Sequence, residues 1–385
     1  MNYFLTEEQQ MIKDLAAKIA TEKAAPLVAE LDEKEEFPWE VMKTLASSDL
    51  FGVYLPEEYG GFGGGVFELC LVTEELSKVC CGMGVCYAAS ALGTLPILLF
   101  GSDAQKQKYL PDIAAGKKLA AFGLTEANAG SDAAAVATTA TRESDFYVLN
   151  GTKQWITNAG EAEVYTVIAL TDKTKGVRGA SAFIVEKGTP GFSFGKKEKK
   201  MGIRCSATRE LIFQDCRIPK ENIISREGMG FIVAMKTLDR ARPGVASQGV
   251  GLAQGALDHA VKYSRERVQF GQAISSFQAI QHMLADMATQ TEAARALTYA
   301  AARMIDAGKD DISKEAAMSK LFATDICMKV TTDAVQIFGG YGYMREYPVE
   351  KMMRDAKILQ IYEGTNQIQR NVIGLTLIKE MAKKK

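Results

Sequence analysis

Histidine is scarce in this 385-residue chain, which contains only His259 and His282. Histidine is the usual general base near neutral pH and a common zinc ligand. Both residues fall in stretches of mixed polarity that favour a helix, where a structural or surface role is the simpler interpretation. The sequence therefore gives little support to a histidine-based catalytic triad or metal centre.

Paired cysteines are also missing. The chain has seven cysteines, an odd number, and none of them forms a CxxC pair. A disulfide framework or a structural zinc site would need such pairs. We therefore expect buried free thiols in a reducing compartment.

An excess charge of one sign is absent as well. With 46 basic and 47 acidic residues, the net charge is −1, so no surface for nucleic acid is expected. The N-terminus lacks the basic and apolar regions of a signal peptide, and we expect no apolar run long enough to span a bilayer. These absences predict a cytoplasmic protein without a membrane partner.

The pattern of elements predicts an α+β chain in three parts. The length favours two or three domains, and the hydrophobic period changes twice along the chain. We predict an N-terminal α-helical domain over 1–120, a middle β domain over 121–230 and a C-terminal α-helical bundle over 231–385. The middle domain should be antiparallel and barrel- or sandwich-like, and the last should be a four-helix bundle.

Local signals set the elements within these parts. Thr6 and Gln9 form a capping-box pattern at the start of the first helix. Strands are predicted at 145–157, 164–171, 181–187 and 209–218, with Asn150-Gly151 as a hairpin turn. Helical stretches are predicted over about 231–242, 246–268, 277–307, 313–337 and 365–383.

The stretch IYEGTNQIQR at 361–370 places the carboxylate of Glu363 between an apolar run and a glycine. The residue types alone allow either a surface charge beside a turn or a base held against a substrate. Three other stretches are similarly ambiguous. FGLTEANAGSD and KQWITNAG could contact a flat ligand or form a turn and a core strand. QIFGGYGY could approach a cofactor closely or end a helix.

The order of these stretches resembles the acyl-CoA dehydrogenase family, most closely its short-chain, butyryl-type branch. The similar blocks also include KMGIRCSATRELIF, LDRARPGVASQGVGLAQ and RVQFG followed by FQAIQ. Matching stretches extend from about Thr6 to the last helix. The resemblance implies a flavoenzyme with FAD bound between the β domain and the helical bundle.

The resemblance also implies which residues bind FAD. Trp155 would flank the flavin ring and Thr157 would reach its N5 edge. Four of the residues would come from a neighbouring subunit, which implies a homotetramer built as a dimer of dimers. The full set implied to bind the cofactor is Phe122, Leu124, Thr125, Ser131, Trp155, Thr157, Arg267, Gln269, Phe270, Gln278, Gln336, Gly339, Gly340, Thr365 and Gln367, the neighbour supplying Arg267, Gln269, Phe270 and Gln278.

By the same resemblance, Glu363 is the base that removes the α-proton of an acyl-CoA while FAD takes the β-hydride. Some family members carry the base at the position of Ala241, so only one carboxylate here matches. The residues implied to contact the substrate are Ser131, Asp239, Arg242, Tyr362, Gly364, Gly84 and Ala88.

The acyl group and the partner are less closely specified. A short linear acyl-CoA is expected, with a branched or alicyclic one as the alternative, because small residues occupy 82–93. Electron-transferring flavoprotein is the expected electron acceptor, although enoyl-CoA reduction is the same chemistry reversed. The competing interpretations are an oxidase-type or nitroalkane-oxidase-like flavoprotein and a non-catalytic helical scaffold.

Overall fold

The computed structural model describes residues 3–383. The first part of the chain is helical, as predicted. Its capping box forms, since the backbone N–H of Gln9 donates to Oγ1 of Thr6 over 3.2 Å and the N–H of Thr6 donates to Oε1 of Gln9 over 3.1 Å. The helices are α1 (Glu7–Ile19), α2 (Val28–Lys34), α3 (Trp39–Ser47), α4 (Val66–Val79), α5 (Cys81–Phe100) and α6 (Asp103–Ala114).

Helix α5 corrects one expectation from the sequence. It has 20 residues and is long and apolar enough to cross a membrane by length and composition, although no such run was anticipated. Its most apolar stretch is 67% buried inside the protein, packed against α4, the first strand and the later helix Gly230–Glu266. A central helix of a globular protein has this property, because it is surrounded by other elements on several sides.

A β-sheet follows the helices. Its order is β6-β7-β3-β2-β4-β5-β8, with β1 paired to β4. Most pairs are antiparallel, but β1 and β2 each run parallel to β4. Among the described residues the sheet path has two ends and does not close into a barrel. The strands are β1 (Ala120–Gly123), β2 (Thr139–Glu143), β3 (Phe146–Thr157), β4 (Val164–Leu170), β5 (Ala180–Glu186), β6 (Phe192–Phe194), β7 (Thr208–Pro219) and β8 (Ile223–Ile224).

The predicted hairpin turn at Asn150-Gly151 is wrong. The turn between β2 and β3 lies at Ser144-Asp145, because Glu143 pairs with Phe146. Gly151 instead sits inside β3 at φ 141°, where the register against β7 shifts between Leu149 and Gly151. Between these pairs β3 contributes only Asn150 and β7 contributes Gln214 and Asp215, so the dipeptide lies opposite a β-bulge in β7. The 12-residue strand β3 pairs with β2 over 146–150 and with β7 along most of its length, and this pairing outweighs the local turn preference.

The C-terminal part consists of α7 (Gly230–Glu266), α8 (Gln278–Asp306), α9 (Ser313–Phe338), α10 (Pro348–Leu359) and α11 (Asn366–Lys383), with the short pair β9 (Val268–Gln269) and β10 (Gln272–Ala273). Helices α7, α8 and α9 pack on one another, and α11 packs on α9. The two stretches predicted around Pro243 form one helix of 37 residues. The sequence reasoning also missed α10.

Tertiary packing explains both differences in the last part. Proline interrupts an isolated helix because it lacks an N–H. However, α7 is buried along most of its length against α4, α5, α8 and α9, which stabilises the continuous form. Helix α10 buries only Val349, Met352, Ala356 and Leu359 among its apolar residues, a short pattern that is easily assigned to a loop.

The backbone conformation of Gly151, beside this bulge, gives a testable prediction. A Cβ at this position would lie 2.6 Å from Oγ1 of Thr138, at a φ that L-residues rarely adopt. We expect Gly151→Ala to destabilise the protein by about 1–3 kcal/mol and to lower the thermal midpoint in a melting experiment. Gly374→Ala is the control, since its Cβ would meet nothing within 4 Å in helix α11. Equal midpoints for Gly151→Ala and the wild type would contradict this backbone conformation of Gly151.

Candidate functional site

Glu363 lies in a tight turn between α10 and α11. Its backbone adopts φ 50°, and Gly364 follows at φ 90°. Two consecutive left-handed residues are costly for L-residues, so glycine is needed at the second position. A Cβ on Gly364 would also lie 2.8 Å from Nε2 of Gln369. The turn is thus a strained conformation that its surroundings must stabilise.

Two side chains hold the carbonyls of this turn. Nε2 of Gln369 donates to the carbonyl of Glu363 over 3.2 Å and to that of Gly364 over 2.9 Å. Nζ of Lys320 donates to the same Gly364 carbonyl over 2.9 Å and to Oδ1 of Asn366 over 2.8 Å. Within residues 3–383, the backbone N–H groups of Glu363 and Gly364 donate to no protein acceptor. They therefore remain available to a ligand.

The carboxylate of Glu363 is buried without a hydrogen bond. Its Oε2 atom has no partner in the described part of the chain, although the residue is partly accessible from the adjoining cavities. Burial raises the pKa of Glu363 to about 7, and the charges of Lys320 and Arg242 oppose that rise. A carboxyl group with such a pKa is well suited to accept a proton near neutrality.

Arg242 approaches from α7 and is itself anchored. Its Nη1 atom donates to Oδ1 of Asp239 over 2.7 Å, and Oγ of Ser313 donates to Oδ2 of the same aspartate over 2.5 Å. Burial lowers the pKa of Arg242, while Asp239 and Glu363 act in the opposite direction. Asp239 therefore positions the arginine, and it is not among the residues that line the cavities.

An inner cavity of about 370 Å³ opens at Glu363. Its walls are mostly apolar and come from α5, β1 and α7. Arg242, Gln248 and Tyr362 supply polar groups, and the Tyr362 hydroxyl donates to Oε1 of Gln248. The apolar residues are Val85, Ala89 and Leu92 from α5, Phe122 and Leu124 near β1, and Phe231, Met235 and Leu238 from α7.

The face of α5 that lines this cavity differs from the one expected. Gly84 and Ala88 are not among the lining residues. Gly84 packs on α4, where a Cβ would lie 2.1 Å from Oγ of Ser77. One residue corresponds to a rotation of about 100° around a helix, so Val85, Ala89 and Leu92 replace the predicted positions.

An outer cavity of about 660 Å³ adjoins the inner one. The two share Thr125, Gly130, Ser131, Trp155, Thr157, Tyr362, Glu363 and Gly364. The outer cavity adds Met201, Ile203, Ile361 and Thr365, with Lys199, Lys200, Arg354 and Lys357 supplying positive charge. The two cavities thus meet at the predicted base, and the structure brings together the predicted residues of the middle domain around them.

Trp155 forms part of the boundary between the cavities. Its backbone has φ 57° at an irregular part of β3, and the residue is 57% exposed. The buried Lys153 stabilises this segment, because its Nζ donates to Oε1 of Glu126 over 2.6 Å and to the carbonyl of Leu124 over 3.1 Å. A flat apolar ring is therefore left open to stacking with a ligand.

Other predicted residues lie elsewhere. Arg267, Gln269, Gly339 and Gly340 line a third cavity of about 410 Å³ beside Tyr341, which shares no lining residue with the first two. Phe270 is 93% exposed. The remaining three, Gln278 at the start of α8, Gln336 in α9 and Gln367 in α11, line none of these cavities.

The sequence reasoning missed Lys320, Gln369 and Gln248. A signal for Lys320 was present, because it lies on the α9 face that also carries Ala316, Ala323 and Cys327 at helical spacing. A lysine on the buried face of a helix needs a specific partner. No comparable signal identified the two glutamines, which depend on contacts between elements far apart in the sequence.

Three family profiles match the chain in sequence order. "Acyl-CoA dehydrogenase, N-terminal domain" matches residues 6–117, "Acyl-CoA dehydrogenase, middle domain" matches 121–216 and "Acyl-CoA dehydrogenase, C-terminal domain" matches 228–378. Together these profiles span nearly all of the described chain.

Individual proteins agree with the profiles. The chain is 48% identical to "Acyl-CoA dehydrogenase, short-chain specific" of Clostridium acetobutylicum, over 97% of this chain and 99% of that protein. The solved butyryl-CoA dehydrogenase of Megasphaera elsdenii is 50% identical, with a TM-score of 0.96, covering 98% of this chain and 100% of that one. A chain from a structure described as electron transferring flavoprotein of Acidaminococcus fermentans is 54% identical, with a TM-score of 0.96, covering 98% and 99%.

The buried carboxylate predicts a pH-dependent stability. The pKa of Glu363 is raised from 4.5 to about 7 in the folded state, so the folded protein retains the proton longer than the unfolded chain. This contribution to stability is fully present below about pH 4.5 and is lost as the pH rises through 7.

We therefore expect Glu363→Gln to become progressively more stable than the wild type between these values, by about 2–3 kcal/mol at neutral pH. Thermal unfolding followed by circular dichroism across this range measures the difference. Glu40→Gln on the exposed start of α3 is the control and should follow the wild type. A constant difference between Glu363→Gln and the wild type would rule out the raised pKa.

Proposed function

The chain belongs to the acyl-CoA dehydrogenase family, and on this basis we propose that it oxidises short-chain acyl-CoA thioesters to trans-2-enoyl-CoA with FAD as cofactor. The observation that carries the proposal is the unpartnered Oε2 of Glu363 at the junction of the inner and outer cavities. A structural carboxylate in this place would be paired. An unpaired carboxylate of raised pKa is suited to remove a proton.

The residues present fit FAD. Trp155 offers an exposed ring in the outer cavity, Thr157 lies beside it, and Thr125, Ser131 and Thr365 line the same space. In the third cavity, Arg267 and Gln269 offer donors for phosphate, and Gly339 and Gly340 permit close backbone approach. When bound, FAD supplies the acceptor for the hydride that leaves Cβ of the substrate.

The residues of the chain carry out the proton chemistry. The thioester carbonyl acidifies the α-hydrogen, and Oε2 of Glu363 accepts that proton. Negative charge develops on the thioester oxygen as the proton leaves, and the free backbone N–H of Glu363 is a suitable donor to it. The apolar wall of the inner cavity excludes water, which strengthens this hydrogen bond and keeps the base reactive.

Charged residues around the base favour its ionised form. Arg242 and Lys320 lower the pKa that burial raises, so a substantial fraction of Glu363 is ionised near neutral pH. Asp239 holds Arg242 in place, which makes it a positioning residue, and Tyr362 is fixed by its bond to Gln248. The position of the alternative base is Ala241, which carries no titratable group.

A short linear acyl group agrees with the inner cavity. Its volume of about 370 Å³ is at the small end of ligand pockets. The side chains of Leu92, Phe231 and Leu238 take up space where a longer or branched chain would extend. The small residues Gly84 and Ala88, which suggested a branched substrate, do not line it.

Assembly and partners complete the proposal. The third cavity shares no residue with the catalytic cavities, and this separation supports FAD binding by residues of two subunits. Phe270, exposed in a single chain, fits such a contact. We infer a homotetramer in the cytoplasm that passes electrons to electron-transferring flavoprotein. A structure described as an electron transferring flavoprotein contains a chain that is 54% identical to this one, and this supports the choice of partner.

The role of Glu363 is tested by Glu363→Gln. We expect the purified variant to remain yellow and to bind butyryl-CoA, because glutamine has nearly the same shape. Flavin bleaching in a single-turnover stopped-flow experiment should slow by about 10²–10⁴-fold, the usual range for loss of a general base. Glu40→Gln should bleach at the wild-type rate. Wild-type bleaching by Glu363→Gln would place the base elsewhere.

The acyl specificity is tested at Ala89. We expect Ala89→Leu to narrow the inner cavity and to lower kcat/KM for hexanoyl-CoA about tenfold more than for butyryl-CoA, because the longer chain loses apolar contacts. Ala88→Leu is the matched control on the neighbouring face of α5. A steady-state panel of linear thioesters measures both. Equal losses for the two thioesters in Ala89→Leu would contradict the assigned face.

A further inference from the structure

Lys320 is a completely buried lysine, with 0% relative exposure, on the face of α9 that packs against α7 and the Glu363 turn. It forms no salt bridge within the described residues. A lysine buried in this way loses hydration energy, and structural lysines are usually kept at the surface. A lysine at this position therefore indicates a specific function.

The contacts of Lys320 all concern the turn that carries the base. Its Nζ atom donates to the carbonyl of Gly364 over 2.9 Å and to Oδ1 of Asn366 over 2.8 Å. Asn366 is in turn held by Thr324 and Asp325, to which its Nδ2 donates over 2.9 Å and 2.7 Å. Lys320 thus connects α9 directly to the left-handed segment at Glu363 and Gly364.

Gln369 holds the same turn as Lys320 but carries no charge, so the two residues can be compared. Its Nε2 atom donates to the same Gly364 carbonyl over 2.9 Å and to that of Glu363 over 3.2 Å. Both side chains fix the turn from the carbonyl side, which leaves the Glu363 N–H free of protein acceptors. Only Lys320 also brings a positive charge.

The charged groups that act on Glu363 are few. Lys320 approaches from α9 and Arg242 from α7. Arg242 is bonded to Asp239, so part of its charge is offset. Burial lowers the pKa of Lys320 to about 7, with Glu363 and Asp325 acting to raise it and Arg242 to lower it. Asp325 is occupied by Asn366 and by Arg370.

We propose that Lys320 is the positioning residue of the base: its Nζ group fixes the strained turn through Gly364 and Asn366 and, when protonated, supplies the positive charge without a salt-bridge partner that favours the carboxylate of Glu363. The proposal rests on the function proposed above. Gln369 shares the first task and not the second.

The test compares Lys320→Met with Gln369→Met in the FAD-loaded enzyme. We expect Lys320→Met to move the pH limb of single-turnover flavin reduction by butyryl-CoA upward by about one unit. From a pKa of about 7, this shift lowers the rate at pH 7 about fivefold. Gln369→Met should lower the rate without moving the limb. If Lys320→Met does not fold, Lys320→Gln removes the charge while keeping a donor, and it should show the same upward shift.

A second readout does not depend on activity. Hydrogen–deuterium exchange of a peptide covering residues 358–369, followed by mass spectrometry without substrate, reports how firmly the turn is held. Lys320→Met and Gln369→Met should both take up deuterium faster. Thr324→Val loses the hydrogen bonds of its hydroxyl with Asn366 and with the backbone carbonyls of Lys320 and Leu321. It removes no charge, and it should leave the pH limb unchanged.

The outcomes separate the two proposals. A wild-type enzyme that butyryl-CoA does not bleach would defeat the proposed function. Deuterium exchange at the turn would still test whether Lys320 holds the turn. A wild-type enzyme that is bleached, together with an unshifted pH limb or unchanged exchange in Lys320→Met, would overturn the role of Lys320. If Thr324→Val shifts the pH limb as much as Lys320→Met does, the shift is a general packing effect, and the proposed electrostatic role of Lys320 is wrong.

Discussion

The site depends on keeping one carboxylate buried without a hydrogen-bond partner. Burial alone would leave Glu363 protonated at neutral pH, since desolvation disfavours the charged form. A direct ion pair would make it a poor base. The chain meets both conditions by placing Lys320 and Arg242 near enough to act electrostatically while their hydrogen bonds go to Gly364, Asn366 and Asp239.

This constraint explains the arrangement of the larger elements. Helix α7 contributes the wall of the inner cavity and Arg242 before Pro243 and Gln248 after it, so its continuity through Pro243 fixes Gln248 relative to Arg242. Helix α9 delivers Lys320, and the turn between α10 and α11 carries the base. The β domain supplies Trp155 through an irregular segment of β3.

Part of this could be predicted from the sequence. The order of helical and strand segments and the capping box at Thr6 are local patterns. The residue types around Glu363 left its role open, and the proposed role as the base came from the specific family blocks around it. The prediction of a turn at Asn150-Gly151 was wrong because strand pairing along β3 outweighed the turn preference of the dipeptide. The lining face of α5 was one residue off because its nearly uniform apolar sequence does not show which side meets the cavity. Lys320 and Gln369 act across elements distant in sequence.

The most direct measurement of the central claim separates proton removal from hydride transfer. A CoA thioester with sulfur in place of the β-carbon has an α-hydrogen but no hydride to give. In D₂O, with the FAD-loaded enzyme, the account predicts that the wild type exchanges its α-hydrogens for deuterium, followed by NMR, and that Glu363→Gln does not. Exchange at equal rates in the two proteins would contradict the assignment of Glu363 as the base.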